Sequence, residues 1–168
     1  GMTKVCLVYD LAWSPDSSYI AYTCGGALKA FYAGDLWLVD VVDGTVTQIA
    51  ERDAGEPHFS PDGEWLATAI PQTGYNQGSI ALWHVKSKRS AVLFSQLHRP
   101  YLEWADDNSG FTAAFQRTGE TGMELWWVPV DATPVQLGRL PDAWYAAWQA
   151  NTERLVYYSP LSVYGPRS

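Results

Sequence analysis

The stretch Phe59–Thr68, FSPDGEWLAT, has a counterpart 46 residues upstream in Trp13–Thr23, WSPDSSYIAYT. Two degenerate copies follow, WADDNSGFTAA from Trp104 and WQANTERLVYY from Trp148, so the anchor aromatics are spaced 46, 45 and 44 residues apart. Seven positions beyond each anchor stands a large apolar residue: Ile20, Leu66, Phe111 and Leu155. A second column runs through DLWLVD, IALWHV and MELWWV, whose Trp37, Trp83 and Trp126 lie 46 and 43 residues apart. A period of this length means one supersecondary unit per repeat, and such a unit cannot bury both its faces alone.

Each repeat reads as four short strands. The first ends at the anchor aromatic. Ser60, Pro61, Asp62 and Gly63 then supply the residue types of a type I turn, with Pro presetting φ and Ser or Asp bonding the local backbone. The second strand is WLATAI or YIAYT, and the third is LWLVDV or ALWHV, apolar enough to be covered on both faces. VTQI, AVL and PVQL are the fourth strands. No window carries a clean 3.6-residue apolar period free of Gly or Pro. Nine Trp and ten Tyr instead favour packed sheets. The predicted fold is all-β: a β-propeller of four-stranded antiparallel blades, about three and a half to four per chain. The repeats occupy approximately residues 10–49, 56–93, 101–137 and 145–168 of a single domain over 3–168. Gly1 ahead of Met2 reads as a cloning remnant.

The aromatic, Ser-Pro-Asp-Gly turn, apolar strand and Trp/Tyr-Val-Asp strand resemble the WD-like repeat of the TolB type. The resemblance covers residues 10 to 158, strongest in the first two repeats and weakest in the fourth, where Gln149, Ala150 and Asn151 replace Ser-Pro-Asp. Related propellers stand beside the catalytic domains of prolyl-oligopeptidase-like peptidases. The resemblance implies a propeller and no particular activity.

KVCLVY, at the start, reads as a spare strand in the place of a preceding blade's outer strand. The fourth repeat has only its first two strands before the tail SPLSVYGPRS. The chain could close alone as four blades with a tail strand near Leu161–Tyr164, share a ring of seven or eight blades with a second copy, or be part of a longer protein. A blade face on the order of 500 Å² is worth roughly 12 kcal/mol when buried, before association costs. That favours a homodimer over an open monomer.

Net charge is −7 with no basic stripe, which argues against nucleic acid and anionic membrane surfaces. No apolar run approaches the roughly 20 residues of a membrane span. Cys6 and Cys24 have no metal-ligand spacing and make no disulfide framework, so a reduced, cytoplasmic setting is the expectation, with a periplasmic one open if a leader was removed.

No Gly-x-Ser-x-Gly elbow occurs, and Ser14 and Ser60 are accounted for by their turns. SPDGEW resembles the sialidase Asp-box but lacks its Thr and joins the wrong pair of strands. Asp106–Gly110, DDNSG, imitates a calcium loop, yet its Gly comes one position early and no Glu closes it. His84 reads as a core or edge residue. His58 and His98 precede first strands but lack a spaced carboxylate partner, so neither a metal nor another cofactor is expected.

Recognition is what remains. The connections between strands two and three are GGALKAFYAG, PQTGYNQG and QRTGETG; those between strands four and one are ERDAGEPH, QLHRPY and RLPDAWY. Their aromatic, His and Arg side chains suit a binding surface. The candidates are Phe31, Tyr32, Tyr75, His58, His98, Arg99, Tyr101, Trp144 and Tyr145, although several could instead plug gaps between blades. The expected function is a non-catalytic binding or assembly module, with a protein partner or itself. The alternatives are the propeller portion of a larger peptidase or hydrolase, and a glycosidase-like enzyme using the channel carboxylates Asp10, Glu56 and Glu103.

Overall fold

A computed structural model of the chain describes residues 6–25, 34–70, 78–141, 143–149 and 154–158, without the side chains at 52, 53, 99, 145 and 147–149. Every regular element among them is a β-strand, and within each of three sheets strands consecutive in the chain are neighbours. The chain divides into two compact units between Pro100 and Tyr101.

The first unit holds two blades. Blade 1 is β1 (Leu7–Trp13), β2 (Tyr19–Gly25), β3 (Gly34–Asp40) and β4 (Val46–Ala54), hydrogen-bonded in that order. Blade 2 is β5 (Glu56–Phe59), β6 (Trp65–Ile70), β7 (Gly78–His84) and the start of β8 (Ser90–Trp104). Alternation along each strand sends one set of side chains to each face. Ala21, Leu36, Leu38 and Ala54 of blade 1 pack on Leu66, Ala81, Trp83 and Val85 of blade 2 in one buried cluster, with Phe59 at its margin.

The second unit begins within β8, whose last residues pair with β9 (Gly110–Arg117), followed by β10 (Met123–Pro129) and β11 (Val135–Leu140). A hairpin of β12 (Tyr145–Gln149) and β13 (Arg154–Tyr158) comes next. Ala114, Met123 and Leu125 form its core with Ala143 and Ala146, and Leu155 packs against them.

The recurring turn has a specific internal wiring. In blade 2 the Gly63 N–H donates to the Ser60 carbonyl at 2.9 Å, and the Ser60 N–H to the Trp65 carbonyl at 2.9 Å. Ser60 is fully buried; its Oγ accepts the Trp65 N–H at 3.0 Å and donates to Asp62 Oδ1 at 2.5 Å. Ser14, Asp16 and Tyr19 repeat the pattern in blade 1. In these two turns a buried Ser caps the start of the second strand, while the Asp at the rim accepts a hydrogen bond from the Ser hydroxyl. The third turn has Ala105 in place of Ser; Asp107 still accepts the N–H two residues on, from Ser109 at 3.0 Å, and takes its hydroxyl hydrogen bond from Ser109 Oγ at 2.5 Å instead. DDNSG is thus a hairpin turn. Its Asn108, like Ser17 and Gly63 of the other turns, adopts φ near +60 to +73°.

Four expectations need correction. Leu7–Tyr9 are not a spare strand: Leu7 pairs with Gly25 and Val8 with Cys24, extending β1 itself, with Tyr9 as a bulge before Asp10. Cys6 and Cys24 are joined by a disulfide, their Cα atoms 5.5 Å apart, at the end of that extension. The tryptophan column is not one structural position. Trp37 stands opposite Tyr22 and Trp126 opposite Ala113, nine residues beyond their anchors, whereas Trp83 stands opposite Leu66, seven beyond. A shift of two keeps the side chain on the same face, so the pattern looks unbroken.

The last correction concerns the connections between strands four and one, which are largely strand. Gly55 alone separates β4 from β5, and β8 runs unbroken through QLHRPY. A Cβ on Gly55 would sit 2.0 Å from the Ala69 carbonyl oxygen, so only glycine allows this direct passage.

Candidate functional site on the first strands

In a propeller the first strand of each blade lies nearest the axis. β1 and β5, the first strands of the two blades in the first unit, place Asp10, Glu56 and His58 within electrostatic reach of one another. The bulge at Tyr9 matters here. Asp10 stands opposite Thr23 and two residues before Ala12, so it shares the face that blade 2 covers, while the bulge places Val8 opposite Cys24 on the other face. Glu56 and His58 are two residues apart on β5 and therefore share a face, the one opposite to Pro57 and Phe59. The His58 Nε2 lies 3.7 Å from the Glu56 Oε2.

The electrostatics tie the three groups together. Burial pushes the Asp10 carboxyl above the usual carboxylate range, the negative charge of Glu56 adds to this, and His58 opposes it. Burial holds the His58 imidazole below its ordinary value, while Glu56 and Asp10 pull it back up. Glu56 is exposed, and the other two are half-buried. Two carboxylates and an imidazole on neighbouring first strands thus influence one another's charge. Such a set suits a cationic or hydrogen-bond-donating group. Among the described residues, no three His, Cys, Asp or Glu side chains are grouped to hold a metal ion.

Register carries the same positions into the second unit. Tyr101 and Glu103 of β8 stand three and one residues before Trp104, as Glu56 and His58 do before Phe59. There the Tyr101 hydroxyl donates to Glu103 Oε2 at 3.2 Å.

Of the remaining candidates, Phe31, Tyr32 and Tyr75 lie outside the described residues. His98 and Arg99 sit within β8 and not in a loop, and the His98 side chain is half-buried. Trp144 is exposed on the turn before β12, its backbone N–H donating to the Tyr158 carbonyl at 2.9 Å. Tyr145 opens β12. His84 ends β7, its ring edge-on to Trp65 at 4.9 Å and its Nδ1 accepting the Ser87 N–H at 3.2 Å, which is a turn-capping role. QRTGETG is a turn clamped by Arg139, which reaches Glu120 at 2.7 Å and the Thr121 carbonyl at 3.0 Å. Sequence reasoning had Asp10 and Glu56 as carboxylates and His58 as a binder, but did not group them. The available signal is that Asp10 and Glu56 each stand three residues before their anchors, with His58 two residues after Glu56.

Comparison with known proteins agrees with this architecture. The fold resembles that of TolB from Acinetobacter baumannii, with a TM-score of 0.56 at 17% identity over 94% of this chain and 45% of that one. It also resembles the β-propeller domain of the trilobed protease from Pyrococcus furiosus, with a TM-score of 0.63 at 15% identity over 86% of this chain and 45% of the other. The acylaminoacyl peptidase of Pyrococcus horikoshii gives 0.61 at 14% identity, over 86% and 26%. The protein is therefore a β-propeller of four-stranded blades. Its fold is similar to that of the TolB propeller.

No family model matches the sequence. An uncharacterized protein of Agrobacterium fabrum is 31% identical over 93 residues, which is 54% of this chain and 29% of that protein. The chain spans less than a third of that curated relative and less than half of each of these structures.

Proposed function

We propose that this protein is a non-catalytic β-propeller recognition module that completes its ring by pairing with a second copy. The observation that supports recognition is the exposed Glu56 paired with His58 at 3.7 Å on β5, with Asp10 of the neighbouring first strand within electrostatic reach. The ligand carries a cationic or donor-rich group, as on a basic segment of a partner protein or a small amine. Ser14 and Ser60, both buried and engaged in their turns, play no part. The Cys6–Cys24 bridge fits an oxidising compartment, so the periplasmic alternative replaces the cytoplasmic one in this reading.

Calorimetric titration with a lysine-containing peptide and its acetylated form tests the proposal. Binding of the former, lost on acetylation and in Glu56→Gln, supports it. Equal binding of both peptides, or an unaffected variant, overturns it. A second reading, the propeller portion of a larger hydrolase, is favoured by the likeness to a protease propeller domain. Coding sequence for a catalytic domain beyond Ser168 would select it.

A further inference from the structure

Repeat equivalence provides a comparison within the molecule. On blade 2, Pro57, Leu66, Thr68, Ala81 and Trp83 share one face, and all are buried, with blade 1 against them. On blade 1 the corresponding face carries Leu11, Trp13, Ile20, Tyr22 and Trp37. Here Leu11 is 60% and Trp13 54% exposed, while the other three are half-buried and Tyr22 stacks on Trp37. The opposite face shows the converse. Ala21 and Thr23, which blade 2 covers, are 0% and 1% exposed; their equivalents on β13, Val156 and Tyr158, are 65% and 61% exposed. The first repeat therefore lacks the kind of face that the last repeat leaves open.

We infer that the occupant of the blade 1 face is the β12–β13 hairpin of a second copy of this chain, with the contact made reciprocally. This deepens, and rests on, the proposal that the protein completes its ring with itself. A half-exposed aromatic leaves on the order of 100 Å² to be covered, so the blade 1 face offers roughly 400 Å² and the hairpin roughly 250 Å². One such contact, roughly 650 Å² in all, is no larger than adventitious packing. Two reciprocal contacts bury roughly 1,300 Å², within the range of specific stable dimers. The area thus selects a closed pair over a single open junction.

Light scattering on a size-exclusion column tests this with two surface variants, Trp13→Lys and Val156→Glu, each checked for an unchanged far-ultraviolet dichroism spectrum. Leu11→Lys serves in place of Trp13→Lys if that variant unfolds. The wild-type chain is expected at twice 18.7 kDa, and each variant alone at 18.7 kDa. The dissociation constant should rise on the order of 100-fold. An equimolar mixture of the two variants should regain the double mass, because it restores one intact junction and sets the introduced ammonium against the introduced carboxylate at the other. Variants that stay dimeric, or a mixture that stays monomeric, overturn the reciprocal contact while self-pairing stands. A monomeric wild-type chain overturns both.

Discussion

Replacing Ser60 with Ala removes the atom around which the blade 2 turn is wired. Ser60 Oγ accepts the Trp65 N–H at 3.0 Å and donates to Asp62 Oδ1 at 2.5 Å, and the side chain is fully buried. Without it the Trp65 N–H loses its acceptor next to a packed strand, where an unsatisfied donor costs about 1–3 kcal/mol. Asp62 is exposed and recovers its bonds from water, so it adds little. A net loss of about 2 kcal/mol lowers Tm by roughly 4–8 °C in a domain of this size. Urea unfolding followed by tryptophan fluorescence should show a lower midpoint with an unchanged slope, since the folded and unfolded surfaces are the same. Ala105→Ser, at the equivalent buried position of the third turn, is the converse variant and is expected to leave stability equal or higher. A Ser60→Ala midpoint equal to the wild type would refute the claim that the buried Ser holds the turn.

Three further outcomes follow from other contacts. Gly55→Ala places a Cβ against the Ala69 carbonyl oxygen and is expected to cost roughly 1–3 kcal/mol, measurable as a lower Tm. Reducing the Cys6–Cys24 bridge, or replacing both residues with Ser, opens a loop of sequence separation 18 and should cost about 3 kcal/mol; thermal melts with and without reductant check this. The lowered pKa of His58 stabilises the fold above pH 6.5, and that contribution is lost as pH falls through the folded-state value. The raised pKa of Asp10 acts in the opposite sense, favouring the fold in acid and losing that contribution as pH rises. Melting curves between pH 5 and 8 should therefore decline on the acid side less in His58→Gln than in the wild type, and superimposable profiles would contradict the assignment.

The propeller was legible because its determinants are local. An anchor aromatic, a buried Ser, a Pro and an Asp fall within four residues, and the spacing near 45 repeats them along the chain. Register was less legible. Trp83 lies two residues along from the positions of Trp37 and Trp126, and a two-residue shift leaves the pattern of faces untouched. The connections from fourth to first strands looked like loops because Gly55 and Pro100 are turn-forming residues. Their extended course depends on close contacts with neighbouring strands, as Gly55 makes with Ala69. The disulfide was not legible either, since it depends on β1 running past its bulge to Cys6. Asp10 and His58 belong to different blades, and only their packing shows that each shifts the other.

Disulfide trapping between chains tests most directly the claim that this propeller completes itself with a second copy. Leu11→Cys chains carrying a mass label would be mixed with unlabelled Val156→Cys chains under mild oxidation, with the native bridge intact. A two-chain product is expected, whose cross-linked peptide joins position 11 of one chain to position 156 of the other. Cross-links confined to like chains, or none at concentrations where the wild type is dimeric, would contradict that claim.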